Sequence, residues 1–85
     1  MDKHIVLGVH ITNRIKDAVP VQQLLTEYGC NIKTRVGLHE VGENICGPGG
    51  IIVLEMFGDE KICLALADHL NKIDGVEAQK MVFSH

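Results

Sequence analysis

The order in which apolar periodicities follow one another along 85 residues most constrains what this chain can fold into. Alternating or continuous apolar runs predict β-strands over residues 5–11, 31–39, 51–57 and 76–83. Apolar residues at helical spacing predict α-helices over residues 17–28 and 60–73. The expected order is therefore strand, helix, strand, strand, helix, strand.

This order is that of the ferredoxin-like βαββαβ arrangement, an α+β fold. It predicts a four-stranded antiparallel sheet in the order 4-1-3-2 with both helices on one face. The length allows one domain, so residues 1–85 are expected to form a single unit.

Local signals refine the predicted elements. Asp17 and Asp59 are good N-caps for the two helices, and Pro20 would then lie in a first turn. Lys80 interrupts the apolar alternation of the last strand, which favours a β-bulge there. In the second helix, helical spacing predicts a buried stripe made of Ile62, Leu66, Leu70 and Ile73.

Two helices on one side of a sheet leave its other face open. Alternation places Ile5, Leu7 and Val9 toward the helices, and in the second strand Ile32, Thr34, Val36 and Leu38. The open face would then combine His10, Lys33, Arg35, His39, Ile51, Val53 and Phe57. Small monomers rarely expose so many apolar residues together, so we expect a homo-oligomer, a dimer or a dimer of dimers. A partly solvated face is the alternative.

Composition excludes several classes of function. The net charge of −3 argues against direct nucleic-acid binding, and only 4% of the residues are aromatic, which leaves few stacking platforms. No apolar run approaches the roughly 20 residues that span a bilayer, and the chain shows no leader pattern. Three cysteines without a CxxC pair indicate a reducing compartment, so a cytoplasmic location is expected.

Residues 40–50 form a glycine-rich segment between the second and third strands. It exceeds the usual 2–5 residues of a hairpin loop. Its glycines give flexible backbone that can close on a ligand, and successive glycine N–H groups can bind an anion. The segment lacks the Gly-Lys-Ser/Thr ending of a phosphate loop and leads into a strand, so a simple surface hairpin is the alternative reading.

His39 and Cys46 carry the strongest metal-ligating chemistry in the sequence. Imidazole and thiolate suit nickel or zinc, but two ligands do not close a site, so His10 or a second subunit would have to complete it. A transition-metal-binding protein using His39 and Cys46 is thus the alternative function. The same pair lacks an orienting third group for nucleophilic catalysis, and we expect no enzyme activity.

Residues 31–39, 50–58, 70–76 and 80–83 resemble a family of small stand-alone ACT-like proteins linked to regulation of the iron-only hydrogenase system. The resemblance covers almost the whole chain, through an Arg-x-Gly in the second strand and a helix–turn ending in Gly-Val. It implies a regulatory, ligand-sensing or partner-binding oligomer and not an enzyme. We expect no resident cofactor.

The resemblance also implies where an effector would bind. ACT domains often bind ligands near the first strand–helix turn at a subunit boundary, which corresponds here to Asn13 and Arg14. Arg14 would pair with an effector carboxylate. The expected ligand-binding residues are Asn13, Arg14, Arg35, His39, Gly47, Gly49 and Gly50.

The fold is also similar to the C-terminal domain of the nickel-responsive repressor, which carries a His-x-His-x5-Cys ligand pattern. Here Gly37 occupies the position of the first histidine, and the spacing from His39 to Cys46 is one residue longer. The nickel ligand set of the repressor is therefore incomplete in this chain.

Overall fold

The computed structural model describes residues 3–12, 14–41 and 46–84, with the backbone alone for 14–18, 38–41 and 46–49. The elements are the strands β1 (His4–Ile11), β2 (Ile32–Val41), β3 (Cys46–Met56) and β4 (Val76–Phe83), the helices α1 (Arg14–Glu27) and α2 (Glu60–Asn71), and a short 3-10 turn, Gly29–Asn31. All strand pairs are antiparallel and the order is β2-β3-β1-β4. The predicted fold class and strand order are confirmed.

Both helices pack on the same face of this sheet. In β1 the side chains of Ile5, Leu7, Val9 and Ile11 are buried, whereas His4 and His10 are exposed. Val21 of α1 and Leu66 of α2 belong to the same buried cluster as these four residues. One face of the sheet is therefore covered by helices, as the alternation in β1 predicted.

The two helices begin differently from one another. Helix α2 begins as predicted, because the Asp59 carboxylate accepts a hydrogen bond of 2.8 Å from the Lys61 backbone N–H. Helix α1 instead begins at Arg14, so Asp17 lies inside the helix and is not its N-cap. Pro20 becomes the seventh residue of α1, a position where its missing N–H removes a helical hydrogen bond.

The buried stripe of α2 is rotated from the predicted one. Cys63, Leu66, Ala67 and Leu70 are buried, whereas Ile62 is 44% exposed. Strand β4 pairs with β1 without interruption from Val76 to Phe83, so the predicted bulge is absent. Lys80 stays on the helix side, opposite Leu7, and is exposed because an edge strand lets a long side chain reach water.

Strand β2 contains the irregularity that reverses the predicted orientation of its side chains. Its pairing with β3 shifts between Ile32 and Thr34, and from there Arg35 lies opposite the buried Leu54. Arg35 therefore lies on the helix side of the sheet, and Thr34 and Val36 on the open side. The prediction for these three residues was wrong, because one extra residue at a bulge inverts every side chain after it.

The glycine-rich segment is mostly strand and not loop. Strand β2 continues to Val41 and β3 begins at Cys46, so only residues 42–45 remain between the two strands, and they lie outside the described residues. Strand β1 pairs with β3 only from Gly50 to Glu55. Residues 46–49 therefore belong to a two-stranded arm that extends past the end of β1.

Candidate functional site

The open face of the sheet exposes several large apolar side chains. The strand register arranges the residues of this face in three rows that cross the four strands. The central row contains Val53 and Gly8. Exposed fractions reach 47% for Val36, 42% for Ile51 and 54% for Met81. No described element covers this face, which is the arrangement expected of an interface.

A hollow of about 230 Å³ lies on this face where β1, β3 and β4 meet. Its described lining consists of Gly8, His10, Ile51, Glu77 and Gln79. Gly8 creates the space, because a Cβ at this position would have no heavy atom within 4 Å. The hollow is thus a gap in the row of side chains, and its floor is the backbone of β1.

The polar groups of the hollow come mainly from β4. The Gln79 amide donates a hydrogen bond of 2.9 Å from Nε2 to Glu77 Oε2. His10 lies directly opposite both Glu77 and Ile51 in the register. Cross-strand neighbours have Cβ atoms about 5 Å apart, so imidazole and carboxylate share one edge of the hollow.

Sequence analysis missed Glu77 and Gln79 as site residues. The signal was present, since they alternate with the buried Val76 and Ala78 at the start of β4. The lysine at position 80 obscured that alternation by suggesting a bulge. A second polar cluster of the face lies on β2 and β3, where Glu55 accepts from Thr34 Oγ1 at 3.2 Å and lies 4.0 Å from Lys33 Nζ.

The structure separates the residues predicted to bind an effector. His39 pairs with Gly50, and Gly50 pairs in turn with Ile11, the last residue of β1 before the β1–α1 connection. Arg35 lies on the same strand as His39 but level with Leu7, about 13 Å back along β2. The backbone therefore places Gly50 beside the end of β1, His39 two strand spacings (about 10 Å) from it, and Arg35 farther away.

The remaining predicted ligand-binding residues are only partly described. Asn13 lies outside the described residues, and Arg14 is the first residue of α1. Gly47 and Gly49 belong to the part of β3 that forms the two-stranded arm. Their role in binding stays a prediction.

The metal hypothesis rests on backbone positions. His39 pairs with Gly50, and Cys46 pairs with Val41, so both lie in the same β2–β3 hairpin. Within residues 3–12, 14–41 and 46–84, no group of three or more metal-ligating side chains was found among those described. Cys30 is exposed on the 3-10 turn.

Cys63 is a core residue of α2. Its thiol is buried and donates to the Phe57 carbonyl at 3.7 Å. Burial raises the pKa of the Cys63 thiol above its ordinary value of 9.0, and the nearby Asp59 carboxylate raises it further. The folded chain therefore holds this proton at a pH where the unfolded chain has lost it.

We expect the free energy of unfolding to fall as the pH rises above about 9, because the unfolded thiol ionises there and the folded one does not. Below that pH the contribution of Cys63 is fully present and constant. Urea unfolding at about pH 8 and about pH 10 measures the difference. Cys63→Ala should reduce this pH dependence and Cys30→Ala should leave it intact, whereas an unchanged slope in Cys63→Ala would contradict the assignment.

A second concave surface follows the exposed side of α1. Its volume is about 650 Å³, and its described lining is Val19, Gln22, Gln23, Thr26 and Glu27. All five residues belong to one helix, so the described residues provide only one wall. The hollow at Gly8, which residues of three strands line, is the better candidate site.

Comparison with known proteins establishes the fold. No family model and no curated protein matches the chain. A solved structure of an uncharacterized protein from Thermotoga maritima superimposes with a TM-score of 0.80 and 28% identity, over 94% of this chain and 96% of that one. The fold is ferredoxin-like.

More distant structures share this fold at lower identity. A putative PII-like signaling protein from Thermus thermophilus has a TM-score of 0.57 and 18% identity, over 96% of this chain and 89% of its own. A nitrogen regulatory PII-like protein from Thiomonas intermedia, bound to ADP, AMP and bicarbonate, has a TM-score of 0.56 and 12% identity, over 94% and 91%. At these identities the likeness concerns the fold.

Neither helix in the described part of the chain is long and apolar enough to cross a membrane.

Proposed function

We propose that this chain is a regulatory module and not an enzyme, that it works as a homo-oligomer, and that it binds a small-molecule effector. The observation that carries the proposal is the open face of the sheet, where Val36, Ile51 and Met81 are exposed beside the half-buried Val53. A second copy of the chain that covers this face would remove these side chains from water.

The dimensions of the sheet support such an interface. Four strands of about eight residues present a face of about 20 by 26 Å, or about 500 Å² on each copy. Two copies would bury about 1,000 Å², which is near the lower limit for a specific protein interface. A dimer through this face is therefore feasible, and a further contact in a dimer of dimers would strengthen it.

The fold neighbours support the effector. A PII-like protein of the same fold binds ADP, AMP and bicarbonate, and another is described as a signaling protein. The resemblance to the small ACT-like proteins supports a hydrogenase system as the regulated process. Hydrogenase activity in cells that lack this chain, compared with complemented cells, tests that assignment.

Static light scattering of the full chain tests the oligomer. We expect a mass of two or four times 9.3 kDa at micromolar concentration, because association buries the open face. A mass of 9.3 kDa that does not rise on concentration would show that the face is solvated and would contradict the proposal.

Metal binding by His39 and Cys46 is the second candidate, favoured by their place in one hairpin. Nickel or zinc added to the chain should raise its melting temperature, because a ligand that prefers the folded state stabilises it. Cys46→Ser should abolish the rise, and Cys30→Ser, at an exposed cysteine, is the matched control. A rise that persists in Cys46→Ser would exclude this site.

A further inference from the structure

We propose that the hollow at Gly8 is a binding site for a small organic cation, a molecule with a protonated amine or guanidine on a short apolar stem. This inference rests on the proposed function and names the chemical class of its effector. It concerns Gly8, His10, Ile51, Glu77 and Gln79, the described residues that line the hollow. In the proposed face-to-face oligomer the hollow would lie inside the interface, so a bound ligand would be enclosed between two copies.

Charge decides the class of ligand. Among the described lining residues Glu77 is the only acid and His10 the only other ionisable side chain, and neither lysine nor arginine is present. Lys33, a cation on the described open face, lies beside Glu55 at 4.0 Å, on the other side of the sheet centre. A cation in the hollow would therefore be attracted by Glu77, whereas a phosphate or carboxylate would be repelled.

The hydrogen bonds in the hollow fit a donor-rich ligand. A carboxylate offers about four acceptor positions, and the bond from Gln79 Nε2 to Glu77 uses one of them. The same bond orients the Gln79 side chain, whose carbonyl oxygen is a further acceptor. Ammonium and guanidinium groups carry several N–H donors and no acceptor, so they match this set.

The volume and the apolar lining of the hollow determine the size of the ligand and the nature of its uncharged part. A hollow of about 230 Å³ is smaller than the roughly 300–1,000 Å³ of pockets for drug-sized ligands, so it suits a smaller ligand. The Gly8 backbone forms the floor and the Ile51 side chain a wall. A short alkyl stem packs there while its charged end reaches Glu77. A nucleotide is too large and has the wrong charge for this hollow.

NMR titration of the isotope-labelled full chain tests the proposal. The probes are butylammonium and agmatine, with butyrate and ADP as counter-probes. We expect the two cations to shift the backbone amide signals of Gly8, His10, Glu77 and Gln79, and the two anions to leave them in place. Glu77→Gln, which removes the charge and keeps the shape, should raise the Kd by about tenfold or more.

Gly8→Val should abolish binding by filling the hollow, and its added Cβ meets open space. Gly37→Val is the matched control, since a Cβ at Gly37 also has no heavy atom within 4 Å and Gly37 pairs with Ile52 elsewhere on the sheet. Gly8→Ala, with a smaller side chain, gives a second readout if the valine variant does not fold.

Three outcomes would overturn the proposal: no shift with either cation at millimolar concentration, shifts of equal size with the anions, or equal binding by wild type and Gly8→Val. If the mass remains oligomeric in such a case, only this site is refuted and the proposed function stands. If the chain is a 9.3 kDa monomer that still binds the cations, the oligomer is refuted and the site stands.

Discussion

Replacing Leu66 with alanine is expected to lower the free energy of unfolding by about 3 kcal/mol, within the usual range of about 2–5 kcal/mol for such a core truncation. Leu66 is fully buried in the single cluster that joins β1, β3 and both helices. A folded chain of 85 residues has a total stability of about 4–13 kcal/mol. The loss is therefore a large fraction of what holds this chain folded.

Urea unfolding followed by circular dichroism measures this loss as a shift in midpoint with an unchanged slope. Ile62→Ala is the matched control, because it truncates an apolar side chain of the same helix that is 44% exposed. We expect that variant to lose less than about 1 kcal/mol. Equal losses in the two variants would mean that α2 is rotated from the described packing.

Replacing Val53 with aspartate is expected to split the proposed oligomer into monomers of 9.3 kDa. Val53 is paired with Val36 on one side and Gly8 on the other, so it lies at the centre of the open face. In a face-to-face assembly a carboxylate there would be buried without a partner, and breaking such an interface costs less than burying that charge. Light scattering or analytical ultracentrifugation reads the mass directly.

Val19→Asp is the matched control for Val53→Asp. Val19 is 66% exposed on α1, away from the open face, so this variant should keep the mass of the wild type. Ile51→Lys places a charge elsewhere on the open face and should reproduce the effect of Val53→Asp if that variant folds poorly. An oligomer that survives both changes on the open face would place the interface elsewhere.

The architecture was predictable because it depends on periodicity. Alternation in β1 and helical spacing in α2 identify these elements without knowledge of their neighbours. The cap at Asp59 has a short-range cause, a side chain that bonds a backbone N–H two residues on. Chain order then leaves few ways to form one antiparallel sheet with both helices on one side.

The orientation of side chains in β2 was not predictable in the same way. The alternation of Ile32, Thr34 and Val36 is regular in the sequence, yet the pairing with β3 slips by one residue after Ile32. Such a slip is set by partners on another strand, and it moves Arg35 to the helix side. The first turn of α1 likewise begins at Arg14, ahead of the better capping residue Asp17.

The candidate site needed the tertiary structure. Gly8 on β1 and the pair Glu77 and Gln79 on β4 are separated by almost the whole chain, and only the β1–β4 register brings them together. By itself the sequence determined the elements, their order and the apolar face of β1, because these follow from local spacing. The tertiary structure decided the register of the strands, and with it which polar groups surround the gap left by a missing side chain.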